Sequence, residues 1–326
     1  MDSFKEFKKI KNANCVCLIA HIDPDADALS SMVVMQDFLM DKFKIACVDM
    51  FAEGNVPDNC FEILDNKKLN LEPKQKYDAA IIMDCPNLDR VGRYKDLYEQ
   101  ANLKINIDHH ATNELNNCIS YFDVVSSSCE IVYNLLTYYN YNFSSSQLGK
   151  IYAALLTDTD GFSVGAITKD TYKIASACAS VVKIEEIYTN FLKHKSLLNQ
   201  QLYAKAINNI KEYKQGFIIT YLTRENYKEL KAKEEDDFGI ANQLNTIYTS
   251  KLICFITPKG NNWYVSLRAK SGYDVSIIAK SFGGGGHKGA AAYISTNSLD
   301  SIIKDIEKAF KKQLKEIVVV KDKLFN

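Results

Sequence analysis

The sequence predicts an α/β protein in two parts: an N-terminal domain with a mostly parallel sheet flanked by helices, and a smaller α/β domain after it. Three observations support this. Short apolar runs alternate with helical patterns in the first half, a long stretch without Gly or Pro follows, and strand-like runs then return. Strands that are separated by helices need crossover connections, which favour parallel pairing and helices on both faces of the sheet.

Short apolar runs in the first half are expected to be buried strands. They occupy residues 15–22, 43–50, 77–85 and 103–110. Helices are expected at 26–40, with Pro24 near the start, and at 147–157. Ser127 and Glu130 form a capping box, which predicts that another helix begins there.

The second half changes in character after a stretch, from 170 to 213, whose pattern is helical throughout. Further strands are expected at 216–222, 251–257 and 262–269, and an amphipathic helix at 298–314. We therefore expect an N-terminal domain with the functional site at 1–195, a helical linker at 196–213 and a second, substrate-binding domain at 214–326.

The charge balance and the cysteine usage limit the function. Forty Lys and Arg cancel forty Asp and Glu, so no global positive field would attract duplex nucleic acid, and a small anionic substrate fits better. Nine cysteines are scattered without a CxxC pair, which disfavours a structural zinc site and fits a cytoplasmic location. No apolar stretch approaches the ~18 residues of a spanning helix, so no membrane association is expected.

The segment after the first predicted strand crowds together an imidazole and carboxylates, since His21 is followed by Asp25 and Asp27. In open parallel sheets, ligands bind beyond the carboxyl ends of the strands. These groups would repel one another without a cation, and their mixture suits manganese, magnesium or zinc. Carboxylates also cap helices, so this segment alone leaves an Asp-rich helix N-terminus open as the alternative.

Two more predicted strands end in ionisable groups, Asp84 in one and an Asp-His-His triplet at 108–110 in the other. Three such strand ends at one edge of a sheet favour a shared site over solvated surface side chains. Asp158 ends an apolar helical run, where the helix dipole disfavours a carboxylate unless a cation compensates it. A simple turn around Gly161 is the alternative there.

Four consecutive glycines, 283–286, are followed by His287 and Lys288. Glycine lets backbone N–H groups approach an anion closely, and the two following side chains add positive charge. A flexible linker is the alternative. Because the run is short and lies between two predicted regular elements, a phosphate-binding loop is favoured.

Together these segments resemble the DHH/DHHA1 phosphoesterases, which are named for the Asp-His-His triplet. The resemblance covers nearly the whole chain, in order, through HIDPDADALSS, MDCPN, DHHATN, SSSCEIVYNLL, LLTDTDGF, VSLRAKS and FGGGGHKGAAA. It is closest to the stand-alone type that degrades very short RNA and dephosphorylates 3′-phosphoadenosine 5′-phosphate (pAp). It implies a DHH domain, a smaller α/β DHHA1 domain and a homodimer.

The resemblance also implies two divalent metal ions, with Mn²⁺ the most expected and Mg²⁺ or Co²⁺ as alternatives. The implied ligands are His21, Asp25 and Asp84 for one ion, and Asp27, Asp84, His109 and Asp158 for the other. Asp108 would orient a histidine, and His110 would face the substrate phosphate. The implied substrate contacts are Asn113, Arg268, Gly284, Gly285, Gly286 and His287.

The expected function is metal-dependent hydrolysis of short single-stranded oligoribonucleotides, of pAp, or of both. The linear dinucleotide pApA and cyclic-di-AMP are alternative substrates, and a manganese pyrophosphatase shares the motifs of the first domain. A catalytically silent nucleotide-binding protein is the alternative from a different class. Three departures from the family pattern affect substrate preference and spare the metal ligands: Ser163, Ala269 and Ala292 stand where Arg, Ser and Gly are common.

Overall fold

The computed structural model describes residues 2–73, 76–193 and 195–324. The chain divides into two compact units, Met1–His194 and Lys195–Asn326. Within the described residues, no helix combines the length and the apolar character that crossing a bilayer requires.

The first unit is built on a parallel sheet whose described strands are ordered β2-β1-β3-β4-β5. The strands are β1 (Cys15–Ile19), β2 (Cys47–Phe51), β3 (Ala79–Met83), β4 (Leu103–Asp108) and β5 (Ile119–Phe122). The chain proceeds from β1 to one side of the sheet and then returns to the other side at β3. In sheets of this kind, a crevice for ligands opens at that reversal, beyond the carboxyl ends of the strands.

Helices cover both faces of this sheet. They are α1 (Ala26–Lys42), α2 (Phe61–Leu64), α3 (Lys95–Gln100), α4 (Ser128–Tyr138), α5 (Ser145–Asp158), α6 (Lys169–Ala179) and α7 (Ile184–Tyr188). Short 3-10 helices occur at Asp2–Asn12, Asp58–Cys60 and Leu88–Tyr94, and a π-helical turn at Thr189–Lys193. Every residue of β3 is buried, as expected for a central parallel strand with both faces covered.

Alternate residues of β1 belong to different hydrophobic cores. Val16 and Leu18 pack in the core that includes Met32 of α1, whereas Cys17 and Ile19 pack in the core on the other face. Because successive side chains of a strand point to opposite faces, this alternation follows directly from β geometry. The continuously apolar run is therefore required by helices on both sides.

The second unit contains a mixed sheet ordered β10-β11-β9-β8-β7-β6 among the described strands. Its strands are β6 (Lys211–Tyr213), β7 (Phe217–Tyr221), β8 (Leu252–Lys259), β9 (Asn262–Ala269), β10 (Gly285–Gly286) and β11 (Ala290–Ser295). Its helices are α8 (Leu197–Asn208), α9 (Arg224–Leu230), α10 (Ile240–Leu244), α11 (Val275–Ser281) and α12 (Leu299–Leu324), with a 3-10 helix at Glu234–Asp237. Strands β7 and β8 pair in parallel, and the other neighbours pair antiparallel.

The predicted α/β class is confirmed, with a parallel sheet in the first unit and a mixed sheet in the second. The expectation that 170–213 is helical throughout is wrong at its end, because β6 pairs antiparallel with β7. The segment expected to be a linker, 196–213, contains α8 and β6, and both lie in the second unit. Strand β5 was not anticipated.

Candidate metal centre

His21 lies just beyond β1 and is 7% exposed. Its Nδ1 is 2.9 Å from the carbonyl oxygen of Ile22, so Nε2 is the ring atom that faces the neighbouring carboxylates. Nε2 lies 3.6 Å from Oδ2 of Asp84 and 3.9 Å from Oδ2 of Asp25. Oδ1 of Asp25 caps α1 by accepting hydrogen bonds from the backbone N–H groups of Asp27 and Ala28. The cap thus holds Asp25 with its other oxygen toward His21.

Asp27 is completely buried, and backbone donors satisfy both of its oxygens. The N–H of Ser128 donates to Oδ2 at 2.7 Å, and the N–H of Cys129 donates to Oδ1 at 2.9 Å. These N–H groups belong to the first turn of α4, where the positive end of the helix dipole stabilises a carboxylate. The contact joins the start of α1 to the start of α4.

Asp84 follows β3 with a φ of 53°, a left-handed conformation that is uncommon for a residue with a side chain. Such backbone strain often occurs at functional sites. The carboxylate is 2% exposed and accepts a hydrogen bond at Oδ1 from the hydroxyl of Ser128, at 2.9 Å. Besides His21, two imidazoles approach it, with Nε2 of His109 at 3.5 Å and Nδ1 of His110 at 3.6 Å from Oδ1.

His109 follows β4, and Asp158 is the last residue of α5. Nδ1 of His109 is 3.1 Å from the carbonyl oxygen of Val125, and Nε2 is 3.0 Å from Oδ2 of Asp158. His109 and His21 thus share one arrangement, in which a backbone carbonyl holds Nδ1 and Nε2 faces carboxylates. Histidines that bind metals are usually oriented by such a partner on the other ring nitrogen.

The six side chains that the resemblance implies as ligands gather in two groups. One contains His21, Asp25 and Asp84, and the other contains Asp27, His109 and Asp158. The ligand atoms in each group lie within 4.8 Å of one another. Asp84 connects the two groups, because its carboxylate also lies close to His109 of the second group. Asp84, His109 and His110 form a third group of possible metal ligands. Imidazole and carboxylate donors in this combination fit manganese, magnesium or zinc.

Burial and mutual contact shift the pKa values of the carboxyl and imidazole groups in this site. Burial, followed by the charges of Asp84 and Asp158, raises the pKa of Asp27 well above its usual range. Burial raises the pKa of Asp158 to about 6, against the opposing effect of His109. Burial lowers the pKa of His109, but Asp158 and the other carboxylates outweigh it and raise that pKa to about 11. Divalent cations would stabilise such a gathering of carboxylates.

His110 and Asp108 form a pair beside these groups. Nδ1 of His110 is 2.7 Å from Oδ1 of Asp108, which is completely buried at the end of β4. The side-chain amide of Asn113 donates to Oδ2 of Asp108 and to Oδ1 of Asn106, and its own oxygen accepts from the N–H of Leu115. Asn113 therefore holds Asp108, and its expected contact with substrate stays a prediction.

Arg268 lies on β9 in the second unit. Its Nε donates to Oδ1 of Asn242 at 2.8 Å, and a terminal nitrogen donates to the carbonyl oxygen of Leu267. Burial lowers the pKa of Arg268. Among the described residues, no carboxylate lies within ion-pair distance of this guanidinium, which is an arrangement suited to an anionic ligand.

The glycine run forms one side of a tight hairpin, in which β10 pairs with β11. A Cβ on Gly284 would lie 2.1 Å from the carbonyl oxygen of Ala292, and one on Gly286 would lie 2.6 Å from that of Ala290. Gly285 has no such neighbour within 4 Å, and it is exposed, like Gly286 and His287. Two of the predicted anion-binding glycines are thus required by packing against β11.

The sequence reasoning missed the contacts that support the ligands. Ser128 contacts Asp27 and Asp84, Cys129 contacts Asp27, and Val125 contacts His109. The sequence indicates only a helix cap at that position. The one available signal was the run of small polar residues before the capping glutamate, which leaves backbone and hydroxyl donors accessible. Asp23, the other carboxylate between His21 and Asp25, belongs to none of the groups of candidate ligands, and its Oδ1 accepts a hydrogen bond from the N–H of Asn55.

Residues 15–158 match the DHH family, N-terminal domain, and residues 204–314 match the DHHA1 domain. The chain thus contains a DHH-family N-terminal domain followed by a DHHA1 domain. The two matched segments lie in the first and the second unit respectively. The first segment includes all six gathered side chains, from His21 to Asp158.

Similar proteins cover most of the chain. The probable bifunctional oligoribonuclease and PAP phosphatase NrnA of Streptococcus mutans is 25% identical over 304 residues, or 90% of this chain and 94% of that protein. The bifunctional oligoribonuclease and PAP phosphatase NrnA of Mycoplasma genitalium is 23% identical over 308 residues, or 92% and 95%. The crystal structure of an exopolyphosphatase-related protein from Bacteroides fragilis is similar over 97% of both chains, with a TM-score of 0.89 and 24% identity.

Proposed function

We propose that this protein is a divalent-metal-dependent phosphoesterase that hydrolyses short oligoribonucleotides and pAp. The observation that carries the proposal is the connection of two His–Asp groups through Asp84 at the carboxyl edge of a parallel sheet. Two relatives that align over nine-tenths of the chain are named oligoribonuclease and PAP phosphatase, which supports the substrate class.

In this proposal, the gathered side chains would hold two divalent ions, with Mn²⁺ as the expected metal. His21, Asp25 and Asp84 would hold one ion, and Asp27, His109 and Asp158, together with Asp84, would hold the other. When bound, such ions supply Lewis-acid stabilisation of phosphoryl oxygens. The protein orients the ligands beforehand through backbone contacts, such as Ile22 to His21 and Val125 to His109. Ligands that are already oriented need no rearrangement during the reaction.

His110 is the side chain that we assign to the reacting phosphate. Asp108 binds its Nδ1 at 2.7 Å and thereby fixes the ring orientation, and Asn113 in turn holds Asp108. A ring held in this way can donate from Nε2 to a phosphoryl oxygen or to the leaving oxygen. Asp108 acts on His110 and would not touch the substrate.

Arg268 and the exposed turn of the glycine hairpin are the elements that we assign to the rest of the nucleotide. Arg268 is a half-buried guanidinium with no described carboxylate within ion-pair distance, so a phosphate would neutralise it. His287 follows the hairpin strand in an exposed position. Since the whole chain has a net charge of zero, this recognition would be local and would suit a short substrate.

The test is a substrate panel with purified protein and Mn²⁺, Mg²⁺ or Co²⁺. The panel contains pAp, pApA, cyclic-di-AMP, pyrophosphate, polyphosphate and 5′-labelled RNAs of increasing length. We expect metal-dependent release from pAp and from RNAs of two to five nucleotides, with much slower release from longer RNA (an order-of-magnitude expectation from chain reach). Asp84→Asn preserves the side-chain size, and we expect it to abolish turnover.

Several outcomes would contradict parts of this proposal. Release from pyrophosphate or polyphosphate alone would contradict the nucleotide assignment, and equal rates on short and long RNA would contradict the preference for short substrates. Full activity in a chelator would contradict the role of metal. Tight binding of pAp without any turnover would instead favour a silent nucleotide-binding protein.

A further inference from the structure

A short segment outside the predicted ligand motifs contacts both groups of candidate metal ligands, His21–Asp25–Asp84 and Asp27–His109–Asp158. This segment, residues 125–129, includes the start of α4. The carbonyl oxygen of Val125 lies 3.1 Å from Nδ1 of His109, and the N–H of Cys129 donates to Oδ1 of Asp27 at 2.9 Å. These two contacts support members of the same group, Asp27 and His109.

Ser128, within this segment, contacts a carboxylate from each group. Its N–H donates to Oδ2 of Asp27 at 2.7 Å, and its hydroxyl donates to Oδ1 of Asp84 at 2.9 Å. Ser128 and Asp27 are 0% exposed and Asp84 is 2% exposed. Because all three side chains are buried, water cannot readily replace a hydrogen bond that is lost there.

The hydroxyl of Ser128 binds the oxygen of Asp84 that faces His109, whereas the other oxygen, Oδ2, faces His21. This hydrogen bond therefore opposes rotation of the carboxylate, which presents one oxygen to each group. Since the donors to Asp27 and Asp84 belong to the same residue, the position of one carboxylate relative to the other depends on the geometry of a single serine.

We propose that Ser128 is a positioning residue that aligns the two metal groups with each other through Asp27 and Asp84. The proposal rests on the proposed function, because it requires that these groups bind divalent ions. Ser127, and not Ser128, caps α4, because the hydroxyl of Ser127 accepts a hydrogen bond from the N–H of Glu130. The hydroxyl of Ser128 is therefore not needed to begin α4.

Mn²⁺ binding to the full-length protein, measured by isothermal titration calorimetry, tests this role without any substrate. Ser128→Ala removes the hydroxyl but leaves the backbone donor to Asp27, and it should weaken Mn²⁺ binding roughly 10–100-fold, as losses of such supporting partners commonly do. Ser128→Thr should retain near-normal affinity, because it restores the hydroxyl. Ser128→Cys has a weaker donor and should lie between the two.

Ser126→Ala is the matched control. Ser126 is also buried in the same segment, but its hydroxyl donates to Glu130, which belongs to neither group. We expect this variant to lose thermal stability and to bind Mn²⁺ like the wild type. Wild-type affinity in Ser128→Ala, or an equal loss of affinity in Ser126→Ala, would overturn the positioning role alone. A wild-type protein that binds no Mn²⁺ would overturn the proposed function as well.

Discussion

Replacing Asp158 by Asn separates the contribution of the site to metal binding from its contribution to folding. The carboxylate lies 3.0 Å from Nε2 of His109, and the side chain is 22% exposed. Asn keeps the size and one acceptor oxygen but removes a negative charge that acts on Asp27. In the absence of metal, we therefore expect the variant to unfold at the same temperature as the wild type or at a higher one.

The effect of metal follows from binding linkage. At an Mn²⁺ concentration of about 100 times Kd, the wild type gains ~2.7 kcal/mol in free energy of unfolding. For a unit the size of Met1–His194, each kcal/mol shifts the melting temperature by about 2–4 °C, which gives a rise of roughly 5–10 °C. If the loss of one ligand weakens binding about 100-fold, the gain at the same concentration falls to ~0.4 kcal/mol, or roughly 1–2 °C.

Differential scanning calorimetry of both proteins, in EDTA and in Mn²⁺, measures these shifts. Asp160→Asn is a matched control, because Asp160 is an exposed carboxylate nearby that belongs to neither group and has a φ of 45°, which Asn tolerates. This control should retain the full metal shift. An equal shift in Asp158→Asn and the wild type, or a large loss of stability in metal-free Asp158→Asn, would refute the reasoning.

Three further predictions test the second unit. Arg268→Ala should lower kcat/KM for pAp roughly 10–100-fold, as expected for the loss of a hydrogen bond from a charged group. Gly284→Ala should lower the free energy of unfolding by about 1–3 kcal/mol in urea, because the new Cβ overlaps β11, whereas Gly285→Ala should be nearly neutral. Burial raises the pKa of Asp237 to about 6, against hydrogen bonds from Tyr227 and Thr257. This raised pKa means that the protonated carboxyl stabilises the fold below pH ~4, and that the stabilisation is lost as the pH rises through ~6. Asp237→Asn should therefore gain stability relative to the wild type as the pH rises from about 4 to 6 and should keep this advantage above pH 6, which urea unfolding measures.

Each of these predictions has a distinct control or contrary result. Arg224→Ala removes an arginine that stacks on Trp263 and should leave kcat/KM for pAp near the wild-type value. Equal stabilities for Gly284→Ala and Gly285→Ala would contradict the close approach of the hairpin strands. A stability difference between Asp237→Asn and the wild type that does not change with pH would contradict the raised pKa.

The gathering of the candidate ligands is largely predictable from the sequence. His21, Asp84 and His109 each follow an apolar run, and parallel strands place their carboxyl ends at one edge. The α/β class depends on the same alternation of apolar runs and helical patterns. These signals are strong because burial on both faces requires continuously apolar strands.

The remaining features depend on long-range packing that a local pattern does not encode. The capping box correctly predicts that Ser127 caps α4, but whether the first N–H groups of α4 reach Asp27 depends on how α1 and α4 pack. Strand β5 is short and mostly exposed, so it lacks the apolar run that identified the others. The glycine run predicts a phosphate-binding loop, whereas the close approach of β11 to Gly284 is visible only in three dimensions.

The candidate ligands are spread widely along the chain, and this spacing has a consequence for how the protein matures. In the sequence, His21, Asp25 and Asp27 follow β1, Asp84 follows β3, His109 follows β4, and Asp158 ends α5. No local peptide carries a complete set, so an ion cannot nucleate this unit as zinc nucleates a small finger domain. Capture of the ions would come last, after all these strands have assembled, and a newly synthesised chain would acquire its reactivity only once its architecture is finished.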